Sequence, residues 1–128
     1  MSYRVIVLPG DGIGPKVTTE PVRVLDWFHE HCGLDVNVRH ELCGAVAYHT
    51  RGAVIADKAF ADLAEVDVVL FGATGGSEFD EIPPEARRKG NLLRICQHMA
   101  VLSKLRPVIG YDELAGAVPL ELRRLHDA

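Results

Sequence analysis

Short apolar runs alternate with stretches of helical periodicity through the first half of the chain. Residues 3–8 (YRVIVL) are β-branched and apolar and stop at Pro9 and Gly10, a pattern typical of a buried parallel strand. After a glycine loop, Pro15 stands at the expected first position of a helix, and apolar residues then recur at helical spacing as far as Gly33. The pattern therefore predicts a strand followed by a helix.

The same alternation continues beyond this helix. Residues 34–40 alternate between apolar and polar side chains, which predicts a strand with one half-exposed face. Residues 44–49 and 56–65 carry alanine, leucine and charge at helical spacing, and residues 66–71 (VDVVLF) form a further apolar run typical of a buried strand. Strands that alternate with helices favour an α/β fold, with a parallel-rich sheet and flanking helices.

The second half of the chain is less regular. Residues 72–90 are rich in glycine, proline and charge and show no periodicity, whereas residues 92–105 predict a helix and residues 106–109 a short extended stretch. From residue 110 to 128 there is only loop and one short helical pattern, with no covering strand or helix after it. We therefore expect an incomplete fold, in which residues 1–109 are the amino-terminal part of a domain and residues 110–128 a truncated tail.

Composition and charge restrict the classes of protein to consider. The 128 residues are 48% hydrophobic and 25% charged, as in an ordinary globular domain. The net charge is −4 and the basic residues outside 87–89 are scattered, so we expect no nucleic-acid partner. No apolar run approaches the roughly 18 residues that cross a bilayer, and the first residues do not resemble a leader peptide, so we expect no membrane partner and a cytoplasmic location.

The cysteines and histidines do not form a recognisable metal or disulfide framework. Cys32, Cys43 and Cys96 are widely spaced among apolar or helix-like neighbours, which predicts free buried thiols and a reducing compartment. His29 and His31 are two positions apart and would point to different faces of a helix, so we interpret them as surface residues. No metal ligand is assigned from these residues.

Two glycine loops are the first candidates for chemistry, because each follows a predicted strand. Residues 8–15 (LPGDGIGP) precede a helix, so free backbone N–H groups there could face an anion or a nucleotide. Pro15 occupies the place of the third glycine of the usual dinucleotide fingerprint, and a structural turn explains the loop equally well. Residues 71–76 (FGATGG) lie where open α/β sheets bind their ligands, although glycines also commonly follow a strand simply because they end it.

Two arginines on neighbouring predicted elements are the second candidate. The guanidinium groups of Arg94 and Arg106 could clamp a substrate carboxylate through bidentate hydrogen bonds. The alternative is that both are exposed arginines without a ligand. Spacing alone does not decide between these two interpretations.

Taken in order, four motifs resemble one enzyme family. Residues 8–15 (LPGDGIGP), 71–76 (FGATGG), 90–95 (GNLLRI) and 105–108 (LRPV) reproduce the pattern of the β-hydroxyacid oxidative decarboxylases. Within this isocitrate/isopropylmalate/tartrate dehydrogenase family, the isopropylmalate branch is the most similar, and the resemblance covers residues 3–109 almost continuously. It extends to the amino-terminal portion of the family fold only.

The resemblance implies an oxidoreductase of leucine-biosynthesis type. Such enzymes oxidise a 2-hydroxy acid such as 3-isopropylmalate or tartrate by hydride transfer to NAD, and then release carbon dioxide with the help of Mg²⁺ or Mn²⁺. The complete family enzyme is a homodimer. Its catalytic tyrosine and lysine and its metal-binding aspartates are expected outside this chain, so the resemblance assigns no catalytic base and no metal ligand here.

By match to the family, Gly75 and Gly76 would lie beside the nicotinamide, Ile13 would border the dinucleotide, and Arg106 would bind the substrate carboxylate, with Arg94 as a second candidate arginine. These five residues are the predicted binding residues.

The chain also departs from the family pattern at three positions. Ten residues before Arg106, where the family has its first substrate arginine, this chain has Cys96. Lys89 and Lys16 replace two glutamates that are usual in the isopropylmalate branch. The departures leave the exact 2-hydroxy acid open.

Three functional hypotheses follow. The first is the amino-terminal part of an NAD-dependent dehydrogenase that is inactive by itself. The second is a non-catalytic partner or regulatory subunit that docks on a complete dehydrogenase. The third, a free-standing nucleotide-binding module, ranks last because the dinucleotide fingerprint is defective.

Overall fold

The computed structural model describes residues 2–101 and residue 105. In chain order, its elements are β1 (Tyr3–Gly10), α1 (Gly14–Cys32), β2 (Val36–His40), α2 (Ala45–Arg51), α3 (Asp57–Asp62), β3 (Val68–Ala73), α4 (Ser77–Asp80), α5 (Pro84–Lys89) and α6 (Leu92–His98). The predicted alternation of strands and helices is confirmed up to β3. The predicted stretch 106–109 and the proposed tail 110–128 lie outside the described residues.

The three strands form one parallel sheet in the order β2-β1-β3. Val5 of the central strand pairs with Val38 on one side and with Val68 on the other, and Gly10 pairs with Ala73 where β1 and β3 end. The prediction of a parallel sheet with flanking helices is therefore confirmed. Because the strands are parallel and in this register, the loops that follow β1 and β3 leave the same edge of the sheet.

The core lies on one face of β1. Side chains alternate between the faces of a strand, so Ile6 and Leu8 point to the same side, where both are fully buried. They pack with buried residues of α3, of its flanking segments and of α6, namely Cys43, Ile55, Ala59, Leu63 and Ile95. Each large aliphatic side chain buried in this way contributes about 1.5–3 kcal/mol of hydrophobic stabilisation.

The opposite face is covered less completely. Helix α1 packs against β1 and β3 there, and an apolar groove of about 490 Å³ remains between the helix and the sheet. The residues that line the groove are Tyr3, Val5, Pro21, Val24, Leu25, Leu34, Val36, Val68 and Leu70. Strand β3 was expected to be buried but is only half-buried, because it lies at the edge of the sheet and faces this groove.

Two predictions for the second half were wrong. The stretch 72–90 was expected to be irregular, yet it contains α4 and α5, which have four and six residues and are too short for an apolar periodicity to develop. The helix expected over 92–105 ends at His98, and Ala100 then takes a left-handed backbone conformation with φ 53°.

The prediction of free thiols is confirmed, but the prediction that they are buried holds only for Cys43. The three cysteines are free, but only Cys43 is buried, whereas Cys96 is half-buried and Cys32 is exposed at the last position of α1. His29 and His31 are exposed, as predicted. Within residues 2–101 and residue 105, no helix has the length and apolar character that a bilayer crossing requires.

Candidate functional site

The two glycine loops meet at the shared edge of the sheet. The backbone N–H of Asp11, in the loop after β1, donates to the carbonyl oxygen of Ala73 at the end of β3, with an N···O distance of 2.6 Å. Gly10 makes this approach possible, because a Cβ atom there would overlap the Ala73 carbonyl, and its φ of +78° disfavours any other residue. The contact between the loops is therefore made by backbone atoms.

The glycines of these loops fall into two groups. At Gly14 and Gly72, a Cβ atom would overlap the carbonyl oxygen of Pro9, so these glycines are needed for close packing. At Gly75 and Gly76, a Cβ atom would meet nothing within 4 Å. The backbone of the second group is thus open to a ligand, whereas that of the first group is already in contact with protein.

Asp11 connects the loops to a third element. The residue is only 7% exposed. One carboxylate oxygen, Oδ1, accepts hydrogen bonds from the backbone N–H groups of Ala45 (2.7 Å) and Val46 (3.3 Å) in the first turn of α2. The other, Oδ2, accepts one from the N–H of Gly75 at 3.4 Å. Asp11 therefore joins the β1 loop, α2 and the β3 loop.

Sequence reasoning did not single out Asp11. A signal was nevertheless available, because the residue before α2 is Gly44, which has no side chain with which to cap the helix. A carboxylate from elsewhere was therefore a reasonable candidate for the first N–H groups of α2.

The predicted cofactor residues lie at this edge. Ile13 immediately precedes α1 and is 65% exposed. Gly75 and Gly76 are exposed and have φ values of +140° and +102°. An exposed apolar side chain and a stretch of backbone at which a Cβ atom would meet nothing within 4 Å are surfaces that suit contact with a flat ring system.

A pocket of about 390 Å³ opens next to the same loop. Its lining residues come from the end of β3 and from α4 to α6, and they are Thr74, Phe79, Pro84, Arg87, Arg88, Asn91 and Leu92. Arg87 forms an ion pair with Asp80, with an Nη1···Oδ1 distance of 3.3 Å. Arg88 is exposed and has no ion-pair partner within the described part of the chain. The pocket combines cationic groups with an apolar wall, which suits a small organic anion.

The sequence analysis did not assign the arginines of this pocket. The basic run 87–89 stood out only as an exception to scattered charge. Asn91 was also missed, although asparagine before an apolar helical segment is a common N-cap. Its Oδ1 accepts a hydrogen bond from the N–H of Leu93 at 2.8 Å and so begins α6.

Arg94 lies on a different side of α6 from Leu92, which lines the pocket. Its Nη1 donates to the carbonyl oxygen of Lys89 at 2.9 Å, and its Cζ lies 4.4 Å from the centre of the Phe60 ring, a cation–π distance. Arg94 does not line the pocket described above. Arg106 lies outside the described residues, so the two-arginine clamp remains a prediction.

The described residues do not fit a divalent metal ion. Within residues 2–101 and residue 105, no three histidine, cysteine or acidic side chains are grouped as metal ligands. Burial, and to a smaller extent the charge of Asp11, raise the pKa of the Cys43 thiol to about 12, against the opposite effect of a hydrogen bond with the Gly10 backbone. Cys43 is therefore a neutral thiol near pH 7 and is a poor ligand or nucleophile.

Comparison with known proteins identifies relatives of the chain. The model of the isocitrate/isopropylmalate dehydrogenase family matches residues 4–126. The chain is 38% identical over 123 residues to 3-isopropylmalate dehydrogenase 1 of Bradyrhizobium diazoefficiens, and the match covers 96% of the chain and 32% of that protein. It is 39% identical over 110 residues to 3-isopropylmalate dehydrogenase of Ruegeria pomeroyi, covering 86% of the chain and 30% of that protein.

A solved structure has a similar fold. The β-decarboxylating dehydrogenase of Thermococcus kodakarensis, in its apo form, superposes with a TM-score of 0.58 at 31% identity, covering 77% of the chain and 27% of that protein. The chain thus spans about one third of the length of the curated relatives it matches.

Proposed function

The chain belongs to the isocitrate/isopropylmalate dehydrogenase family, as its motifs predicted, and we propose that it forms the amino-terminal part of an NAD-dependent site for a 2-hydroxy acid. The proposal rests chiefly on one observation. An open glycine backbone (Gly75 and Gly76) and a pocket that contains Arg87 and Arg88 lie side by side at one edge of the sheet. The reaction would be oxidation and decarboxylation of a substrate such as 3-isopropylmalate or tartrate, in the cytosol.

On the cofactor side, this chain supplies surface rather than charge. NAD, when bound, supplies a hydride acceptor for the hydroxyl-bearing carbon of the substrate. The exposed side chain of Ile13 and the open backbone at Gly75 and Gly76 would flank its rings. Larger side chains at either glycine would occupy the space that the ring needs.

On the substrate side, this chain supplies cationic groups and an apolar wall. The guanidinium of Arg88 is free of ion pairs in the described part of the chain and can bind a carboxylate through two hydrogen bonds. Phe79 and Leu92 line the same pocket and suit an alkyl substituent. This combination favours an isopropylmalate-like substrate over tartrate, which has no alkyl group. Arg106 is the further carboxylate ligand that the family resemblance predicts.

We propose that the 128-residue chain is inactive by itself. The family implies Mg²⁺ or Mn²⁺, but residues 2–101 and residue 105 offer no ligand set for either ion, so we assign these residues no part in the metal-dependent step. The chain also spans only about a third of the relatives' length. The remaining groups would come from further polypeptide, and the assembled enzyme would be a homodimer.

The test compares the chain with a chimera. NADH formation is followed by absorbance with 3-isopropylmalate, NAD⁺ and Mg²⁺, first for the chain alone and then for the Bradyrhizobium relative carrying this chain in place of its matching segment. We expect no turnover from the chain and measurable turnover from the chimera. Turnover by the chain alone would contradict the proposed inactivity, and a folded chimera without turnover would contradict the dehydrogenase assignment.

Substitutions in the chimera test the substrate pocket. Arg88→Met should raise KM for 3-isopropylmalate, because a carboxylate ligand is lost, while KM for NAD⁺ stays unchanged. Arg23→Met is the matched control, since Arg23 is an exposed arginine of α1 whose ion pair is with Glu20. Equal KM values for 3-isopropylmalate in the two variants would show that Arg88 is not part of the substrate site.

The apolar groove between α1 and the sheet favours a second candidate function. Its wall is formed by hydrophobic residues such as Val24, Leu25 and Leu70, and an exposed apolar surface of this kind commonly binds polypeptide. The chain could therefore dock on a complete dehydrogenase subunit as a non-catalytic partner. Co-purification with the full-length Bradyrhizobium relative at a defined stoichiometry would support this function, and failure to associate would exclude it.

A further inference from the structure

We propose that Asp11 is a positioning residue, whose carboxylate holds the Gly75 loop in the place where the cofactor would bind. The statement that this place is a cofactor site rests on the proposed function. The statement that Asp11 holds the Gly75 loop rests on the contacts of Asp11 alone. The sequence analysis assigned this aspartate no role of its own.

The hydrogen-bond partners of the Asp11 carboxylate are backbone groups of two other segments. Oδ1 accepts hydrogen bonds at the amino end of α2, where the helix dipole favours a negative charge, and Oδ2 accepts one from the N–H of Gly75. In the described part of the chain, Asp11 has no ion-pair partner. Its buried charge is therefore stabilised by these N–H groups, which couples the position of Gly75 to that of α2.

The surroundings show that the position of this carboxylate is tightly restricted. A Cβ atom at Gly44 would overlap the Asp11 carboxylate, so the residue before α2 must be glycine for Asp11 to reach the helix. The Gly75 loop, by contrast, has open space on its outer side. The described structure gives the Gly75 N–H a single acceptor, Asp11 Oδ2. Without that acceptor, the loop loses its attachment to the β1 loop at this point.

Substitution of Asp11 separates its two contacts. In Asp11→Asn one acceptor oxygen remains, and it should stay on α2, whose two N–H groups lie at 2.7 and 3.3 Å. The amide NH₂ group then faces the N–H of Gly75, and that hydrogen bond is lost. Asp11→Ala removes both acceptors. In Gly44→Ala the carboxylate is retained but displaced. Leu63→Ala is the control, because it destabilises the core without touching the carboxylate.

Amide hydrogen exchange measured by NMR on the full 128-residue chain provides the first readout. Relative to Ile6 in the sheet, exchange at Gly75 should become about tenfold faster in Asp11→Asn and in Gly44→Ala, as expected when one charge-assisted hydrogen bond is lost. In Leu63→Ala, exchange at Gly75 and Ile6 should change together. If the exchange rate at Gly75 changes in parallel with the rate at Ile6 in every variant, or if Asp11→Asn changes neither rate, the positioning role is wrong.

Binding of NADH provides the second readout and separates this inference from the proposed function. In the chimera described above, Asp11→Asn should weaken NADH binding more than Leu63→Ala does, with KM for 3-isopropylmalate changed less than KM for NAD⁺. An equal loss of NADH affinity in Asp11→Asn and Leu63→Ala would show that Asp11 has a purely structural role and would overturn the inference. If the unsubstituted chimera binds no NADH, the proposed cofactor site fails, and the exchange rates at Gly75 then decide whether Asp11 holds the loop.

Discussion

The cofactor side and the substrate side of the candidate site are built in different ways. At the glycine loops, backbone atoms pack directly on backbone atoms, and the buried Asp11 carboxylate joins three segments through N–H groups. At the neighbouring pocket, the chemistry depends on side chains of short helices, with an ion pair between the half-buried Arg87 and the exposed Asp80. The difference implies that substitutions in the pocket can change the substrate without refolding the chain, whereas the packed glycines of the cofactor side, Gly10, Gly14 and Gly72, tolerate very little change.

The energies involved support this contrast. An overlap between a Cβ atom and a backbone carbonyl cannot be relieved without moving a strand, whereas an exposed ion pair contributes only about 0–1 kcal/mol. The pocket side should therefore show small effects on stability and larger effects on binding.

The largest expected effect is that of Gly10→Ala. Its Cβ atom would overlap the Ala73 carbonyl at a φ of +78°, so the free energy of unfolding should fall by about 3 kcal/mol or more. Gly12→Ala is the matched control: Gly12 also has positive φ, +55°, but its Cβ atom would meet nothing within 4 Å, so we expect a loss of only about 1–2 kcal/mol. Urea unfolding measures both, and similar losses would refute tight backbone packing at Gly10.

The next largest expected effect is a pH dependence of stability caused by Cys43, a buried residue of the core. The pKa of its thiol is raised from 9.0 to about 12 in the folded chain, so above pH 9 the unfolded state loses this proton while the folded state keeps it. Stability should therefore be unaffected below pH 9 and fall by up to about 1.4 kcal/mol per pH unit between pH 9 and pH 12.

Comparison with Cys43→Ala isolates this contribution from other groups that titrate at high pH. Urea unfolding of both proteins between pH 8 and pH 11 should show a steeper decline for the unsubstituted chain. Cys32→Ala, at an exposed thiol, should leave the decline as it is. Parallel curves for the unsubstituted chain and Cys43→Ala would show that Cys43 is not protected by burial.

A smaller effect is expected on the pocket side at Asn91. Its side chain caps α6 through the N–H of Leu93, so Asn91→Ala should cost about 1 kcal/mol. Asn91→Asp, which keeps an acceptor oxygen, should restore most of that loss. Thermal unfolding followed by circular dichroism is the measurement, and a loss that aspartate does not restore would point to a role other than capping.

The smallest effect should come from the ion pair itself. Because Asp80 is largely exposed, Arg87→Met should change the free energy of unfolding by about 0.5 kcal/mol or less, and added salt should reduce even that difference. A loss similar to that of Gly10→Ala would mean that the two sides are equally rigid, contrary to the comparison made above.

Much of the fold followed from local patterns. The apolar runs of β1 and β3, the glycine that ends α1 and the strand–helix alternation were sufficient to predict the parallel sheet, because periodicity and helix stops are local properties. Helices α4 and α5 could not be predicted in this way, since one or two turns are too few to establish an apolar face. The premature end of α6 was likewise not visible in a sequence whose helical pattern continues.

The candidate site was predictable only in part. The sequence by itself determined that each of the two glycine loops follows a strand of a parallel-rich sheet, whereas the structure showed that these strands, β1 and β3, are neighbours and that the loops leave the same edge. Only the tertiary structure decided which glycines are packed and which are open, that Asp11 reaches α2, and that Arg94 stacks on Phe60 while Arg88 lines the pocket. These are contacts between residues far apart in the chain, and their geometry depends on how the elements pack rather than on local spacing.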